Sequence, residues 1–195
     1  VVQGRLDEAV SEISRAVELD PLSLIYNTAK GRVLYFARQY DLAFAQFTRT
    51  RELEPHFAQP HFDFGMAYAQ RCQFDEAIAE FEKGFALSTR RLLMVSVLGN
   101  IYGTAGRLSD AESILEELRE VSRRQEVPSL YFALVYVALG DTARAIDALQ
   151  QACEEHTGVM VYLKVEPMWD SLRSDSRFQD LLRRMNLPFG APRRS

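Results

Sequence analysis

Apolar residues along this chain recur at helical spacing rather than by strict alternation. In the stretch GRLDEAVSEISRAVELDP, Leu6, Ala9, Val10, Ile13, Ala16 and Val17 fall three or four residues apart, with Asp, Glu, Ser and Arg between them. The stretch CQFDEAIAEFEKGFALS, which starts at Cys72, has the same pattern. Such spacing lays an apolar stripe along an amphipathic helix. One run, VMVYLKV at 159–165, is strand-like in content. With every other strong segment helical in period, the chain is expected to be all-α.

The helical pattern is itself periodic. Ala9, Ala43, Ala77, Ala111 and Ala145 stand 34 residues apart. Gly31, Gly65, Gly99 and Ala133 precede the last four by twelve, and Leu34, Tyr68, Tyr102 and Tyr136 precede them by nine. Ile13, Phe47, Phe81, Leu115 and Leu149 follow the five alanines by four; Gly4, Arg38, Cys72, Gly106 and Gly140 precede them by five. Pro21 and Pro55 follow the first two by twelve. Each position has a steric job in a helix-turn-helix unit. The small residue and the alanine let two antiparallel helices approach. The Tyr, Phe and Leu positions fill the space between neighbours. A glycine ahead of the second helix tolerates positive φ in a tight turn, and a closing proline stops that helix.

This register resembles the tetratricopeptide repeat. The likeness covers a half repeat at 4–22 and full repeats at 24–57, 58–91, 92–125 and 126–159. Departures are visible. The family's fourth-position Trp is replaced by Asn27, His61, Val95 and Ser129, and its closing Pro by Thr89, Arg123 and Thr157. Thr50, Gly84 and Leu118 stand where Ala is usual. The resemblance implies an all-α helix-turn-helix solenoid, a right-handed superhelix of about nine to eleven helices. Its array occupies residues 1–159, with a capping segment at 160–188 and a frayed tail at 189–195. In the capping segment Trp169, Leu172, Phe178, Leu181, Leu182 and Met185 are expected to cover the apolar edge that the last helix pair leaves. Arg173, Arg177, Arg183 and Arg184 are expected to face solvent, the last two near a helix C-terminus, where cations are favoured. The segment is similar to closing segments of bacterial multidomain proteins, among them winged-helix transcriptional regulators, adenylate-cyclase-like proteins and serine/threonine kinases. The start at Val1, without Met, reads as the interior of a longer protein.

Charge and composition narrow the function. The 23 basic and 27 acidic residues give a net charge of −4. That balance argues against bulk nucleic-acid binding through phosphate neutralisation. The charge is uneven: six Arg and two Asp in 173–195 give +4, which leaves −8 for 1–172. No run of apolar residues is long enough to span a membrane. The expected location is cytoplasmic, or periplasmic for a membrane-anchored parent. Cys72 and Cys153 lie in no metal-ligand spacing.

Chemistry-bearing motifs are sparse. No Gly-rich phosphate loop, HExxH or GxSxG string occurs. His56, His61 and Asp63 offer one His pair with no fixed third ligand, a weak metal signal, and His61 reads as a packing residue in place of an aromatic. The pairs Glu116–Glu117 and Glu154–Glu155 read as solvated charge on second helices. A nucleophilic Cys72 has no assignable base. No catalysis, metal or cofactor is therefore expected.

The concave face of a helical solenoid is where the resemblance places binding. Its groove positions give the candidate residues Arg32, Tyr35, Gln59, Phe62, Asp63, Met66, Ser96, Asn100, Leu130, Tyr131 and Leu134, and they imply a protein or peptide ligand. A clamp for a chaperone's terminal carboxylate is not expected. The matching positions hold Thr28, Arg32, Asp63, Leu93 and Val97, and Asp63 repels a carboxylate. Two further expectations follow. The apolar stretch Val127–Ala138 is open to filling by the capping segment. The edge carrying Leu6, Ile13 and Val17 is open to self-association. The alternative functional reading is a C-terminal regulatory or sensory region of a larger bacterial signalling protein.

Overall fold

The computed structural model describes residues 1, 5–54, 59–87 and 91–187. The expectations for Gly4, Pro55, His56, Thr89 and residues 189–195 lie outside the described residues. Among the described residues there is no strand. The α-helices are α1 (Leu6–Leu19), α2 (Leu24–Phe36), α3 (Tyr40–Leu53), α4 (Gln59–Gln70), α5 (Phe74–Leu87), α6 (Arg91–Thr104), α7 (Leu108–Ser122), α8 (Ser129–Ala138), α9 (Thr142–Glu154) and α10 (Ser176–Arg184). Two 3-10 helices, η1 (Gly158–Tyr162) and η2 (Pro167–Leu172), lie between α9 and α10. The chain forms two compact units, one from Arg5 to Met94 and one from Val95 onward.

In the first unit α2 pairs with α3 and α4 with α5, while α1 packs on α2, α3 on α4 and α2 on α4. The turn inside each pair is a left-handed cap. Arg38 and Cys72 have φ of 62° and 58°, as Gly106 and Gly140 have 78° and 76° in the second unit. The next residue's N–H reaches back across the turn: Gln39 to Leu34 O at 2.9 Å, Gln73 to Tyr68 O at 3.0 Å, Arg107 to Tyr102 O at 2.8 Å and Asp141 to Tyr136 O at 3.0 Å. These bonds satisfy carbonyls that the helix end leaves unpaired. The position five before Ala43, Ala77, Ala111 and Ala145 is thus a conformational requirement, met at Arg38 and Cys72 without glycine. On α1, Val17 is buried and Leu6 half-buried, which corrects the expectation of an exposed Leu6–Ile13–Val17 edge.

Ala43, Ala77, Ala111 and Ala145 are fully buried. The small first-helix residue sits against the residue four after the alanine. A Cβ on Gly31 would lie 2.2 Å from the Phe47 ring, and one on Gly65 would lie 2.4 Å from that of Phe81. In the later repeats the register pairs Gly99 with Leu115 and Ala133 with Leu149, but a Cβ on Gly99 would meet Ile114 at 2.8 Å and Val135 at 2.9 Å instead.

In the second unit α8 pairs with α9, α7 packs on α8, η2 packs on α8 and α10 packs on α9. Trp169, Leu172, Phe178, Leu181 and Leu182 are buried, and Met185 is half-buried. The strand-like run 159–165 is instead mostly 3-10 helix. Met160 N–H bonds Thr157 O at 3.0 Å and Leu163 N–H bonds Met160 O at 3.0 Å, so these groups are satisfied locally, where a strand would need a neighbour. Arg173 corrects a second expectation. Its Nη1 donates to Lys164 O at 2.5 Å, its Nη2 to Glu166 O at 3.2 Å and its Nε to Asp170 Oδ1 at 2.5 Å. It folds back onto its own loop and caps carbonyls rather than facing solvent. Glu155 is exposed, as expected, and also has a partner. Its carboxylate accepts from Ser129 N–H at 3.0 Å and Ser129 Oγ at 2.5 Å, which places a negative charge at the α8 N-terminus.

Candidate binding face

The first unit sets α2 beside α4, and the candidate residues there form a polar cluster with apolar flanks. Ser23 starts α2, its Oγ accepting from Tyr26 N–H at 3.3 Å. Arg32 lies two turns along. Asp63 sits at the middle of α4, only 4% exposed. Its Oδ1 accepts from Gln59 Nε2 at 3.1 Å, an i,i+4 pair on one helix face. Arg32 Nε lies 3.8 Å from the same oxygen. A buried carboxylate is costly unless it is paired, and these two donors come from the two helices that make the face. Thr28 stands one turn before Arg32, and its Oγ1 is buried without a hydrogen-bond partner.

The rim is apolar. Ile25 is 77% exposed. Phe62 is half-buried, its ring edge-on to Phe81 at 5.4 Å between centroids. Tyr35 and Met66 are core residues at 4% and 6% exposure, so they support the face from behind instead of lining it.

The second unit places its candidates differently. Ser96 and Asn100 are buried, and Asn100 Nδ2 donates to Leu134 O at 2.7 Å. Leu130 and Leu134 are 5% and 3% exposed, and Tyr131 is half-buried. A Cβ on Gly103 would lie 3.0 Å from the Ala138 carbonyl carbon, so the α6 and α8 backbones touch there. Arg32, Gln59 and Asp63 are therefore brought together by α2 and α4, with Phe62 turned to Phe81, whereas Ser96, Asn100, Leu130 and Leu134 are packed within the chain.

A second polar cluster joins α4 to α5. His61 Nδ1 lies 2.7 Å from Glu80 Oε2, and Lys83 Nζ donates to Glu80 Oε1 at 2.8 Å. Burial pushes the Glu80 carboxyl up, but the hydrogen bonds from Lys83 and His61 outweigh it and hold the group below its ordinary range. Asn27 and Gln46 meet in the same way on α2 and α3, Gln46 Nε2 donating to Asn27 Oδ1 at 2.6 Å. His61 is thus more than a packing substitute. The signal was present in the sequence: Asn27 and Gln46, like His61 and Glu80, are 19 residues apart, and both pairs are polar. Among the described residues no group of three His, Cys, Asp or Glu is placed to hold a metal ion, and no helix is long and apolar enough to cross a membrane.

Residues 28–86 match the family model of the tetratricopeptide repeat. The Hsp70-Hsp90 organizing protein of Triticum aestivum is 31% identical over 84 residues, 43% of this chain and 14% of that protein. Protein bimA of Emericella nidulans is 29% identical over 96 residues, 49% of this chain and 12% of that protein. The chain spans only these small shares of the curated relatives it matches. Among solved structures, the Cut9–Hcn1 hetero-tetramer of APC/C aligns over 92% of this chain and 36% of its own, with a TM-score of 0.60 and 16% identity. A tetratricopeptide repeat protein from Parabacteroides merdae aligns over 96% and 75%, with a TM-score of 0.52 and 12% identity. These likenesses show the fold: an all-α helix-turn-helix solenoid of the tetratricopeptide type.

Proposed function

We propose that this chain is a non-catalytic protein-interaction module that takes a peptide or partner segment on the face shared by α2 and α4. The observation that carries the reading is the Asp63 cluster. A nearly buried carboxylate is held by Gln59 and Arg32, on the same two helices that carry an exposed Ile25 and a half-buried Phe62. That is the layout of a recognition surface, with apolar contacts for affinity and a few fixed polar groups for register. The face fits a segment whose apolar side chains rest on Ile25 and Phe62 while its polar groups meet Arg32 and Gln59. The name of one matched relative, Hsp70-Hsp90 organizing protein, accords with this reading. We assign the module to the cytoplasm.

The test is a peptide-display selection against the chain, with Ile25→Arg and Gln59→Arg together as the blocked control. Ile25 is exposed and Gln59 half-buried, an arginine at 59 still offers a donor to Asp63, and circular dichroism checks that the control is folded; Met66→Arg would bury a charge in the core. Enrichment that disappears in the control is the expected result. Enrichment unaffected by the double substitution, or none at all, overturns the reading.

A further inference from the structure

We draw no further inference here: the strongest candidate, the exposed apolar patch of Leu19, Leu22, Ile25 and Tyr26 at the turn between α1 and α2, carries nothing, because its Ile25 belongs to the face already described and nothing in the structure shows what covers the rest.

Discussion

In α2 and α4 of the first unit the fourth position of the repeat is polar and paired. Asn27 accepts from Gln46, and His61 meets Glu80. In α6 and α8 the same position holds Val95 and Ser129, whose register partners 19 residues on are Ile114 and Ala148. Polar goes with polar, apolar with apolar and small with small. The two units differ equally on the other side of the first helix. Ile25, Arg32 and Gln59 on α2 and α4 reach solvent, whereas Leu130 and Leu134 on α8 are buried in a unit where η2 packs on that helix. One backbone period therefore supports two interior chemistries. A buried hydrogen bond is worth about as much as the apolar contact that replaces it, provided both partners change together.

The largest test of the contrast lies at the two outer faces. Trp169→Ala removes a buried indole from η2 and is expected to cost about 3–5 kcal/mol by urea unfolding. Ile25→Ala, on the open face, is expected to stay within about 0.5 kcal/mol. Equal costs would mean that both faces are closed in solution. Next in size is the contact between small and large residues. Gly65→Ala drives a methyl into the Phe81 ring, with an expected loss of about 1–3 kcal/mol. Adding Phe81→Leu, which reproduces the Ala133–Leu149 pairing of the second unit, should recover part of it. A double variant no better than Gly65→Ala would show that the pairing is not transferable between repeats.

The sequence period was enough to locate these contacts. Five alanines in register gave the helix pairs, and the position five before them gave the left-handed turns even at Arg38 and Cys72, where the residue itself does not announce one. The face of each first helix turned toward its second helix was legible because both sides of that contact repeat. The opposite face was not. Helices α6 and α7 and the aperiodic η2 all pack on α8, so Leu130 and Leu134 read as ligand-binding when they are packed. Arg173 was misread for a similar reason: its acceptors are backbone carbonyls of an irregular loop, and no side-chain pattern encodes them. The Arg32–Gln59–Asp63 cluster was legible as a group, but Met66 and Tyr35 fell on its buried side because a shift of one residue turns a helix by about 100°.

A smaller effect tests whether polar pairing is a property of the pair. Asn27→Val leaves Gln46 Nε2 buried without its acceptor and removes the donor to Pro21 O and Ser23 O, for an expected cost of about 1–3 kcal/mol. Gln46→Ile alone should cost less, because it strands one acceptor. The double variant, which installs the Val95–Ile114 combination, is expected to cost about 1 kcal/mol less than the sum of the singles. Strict additivity would mean that the register partners do not sense each other.

The smallest effect is the pH dependence of the His61–Glu80–Lys83 seam. Glu80 titrates below its ordinary range in the folded chain because Lys83 and His61 outweigh its burial. Its folded value is depressed relative to the unfolded chain, so the stability it contributes is present above the unfolded value. That stability is lost as pH falls through the folded one. Urea midpoints taken from neutral pH down through the carboxylate range should therefore fall more steeply in the wild type than in Glu80→Gln, with the two curves converging at the acid end. Glu117→Gln, on the exposed face of α7, should follow the wild type throughout. Parallel curves for wild type and Glu80→Gln would mean that the seam holds Glu80 by shape alone. The charged pair would then be interchangeable with the Asn27–Gln46 pair of the preceding repeat.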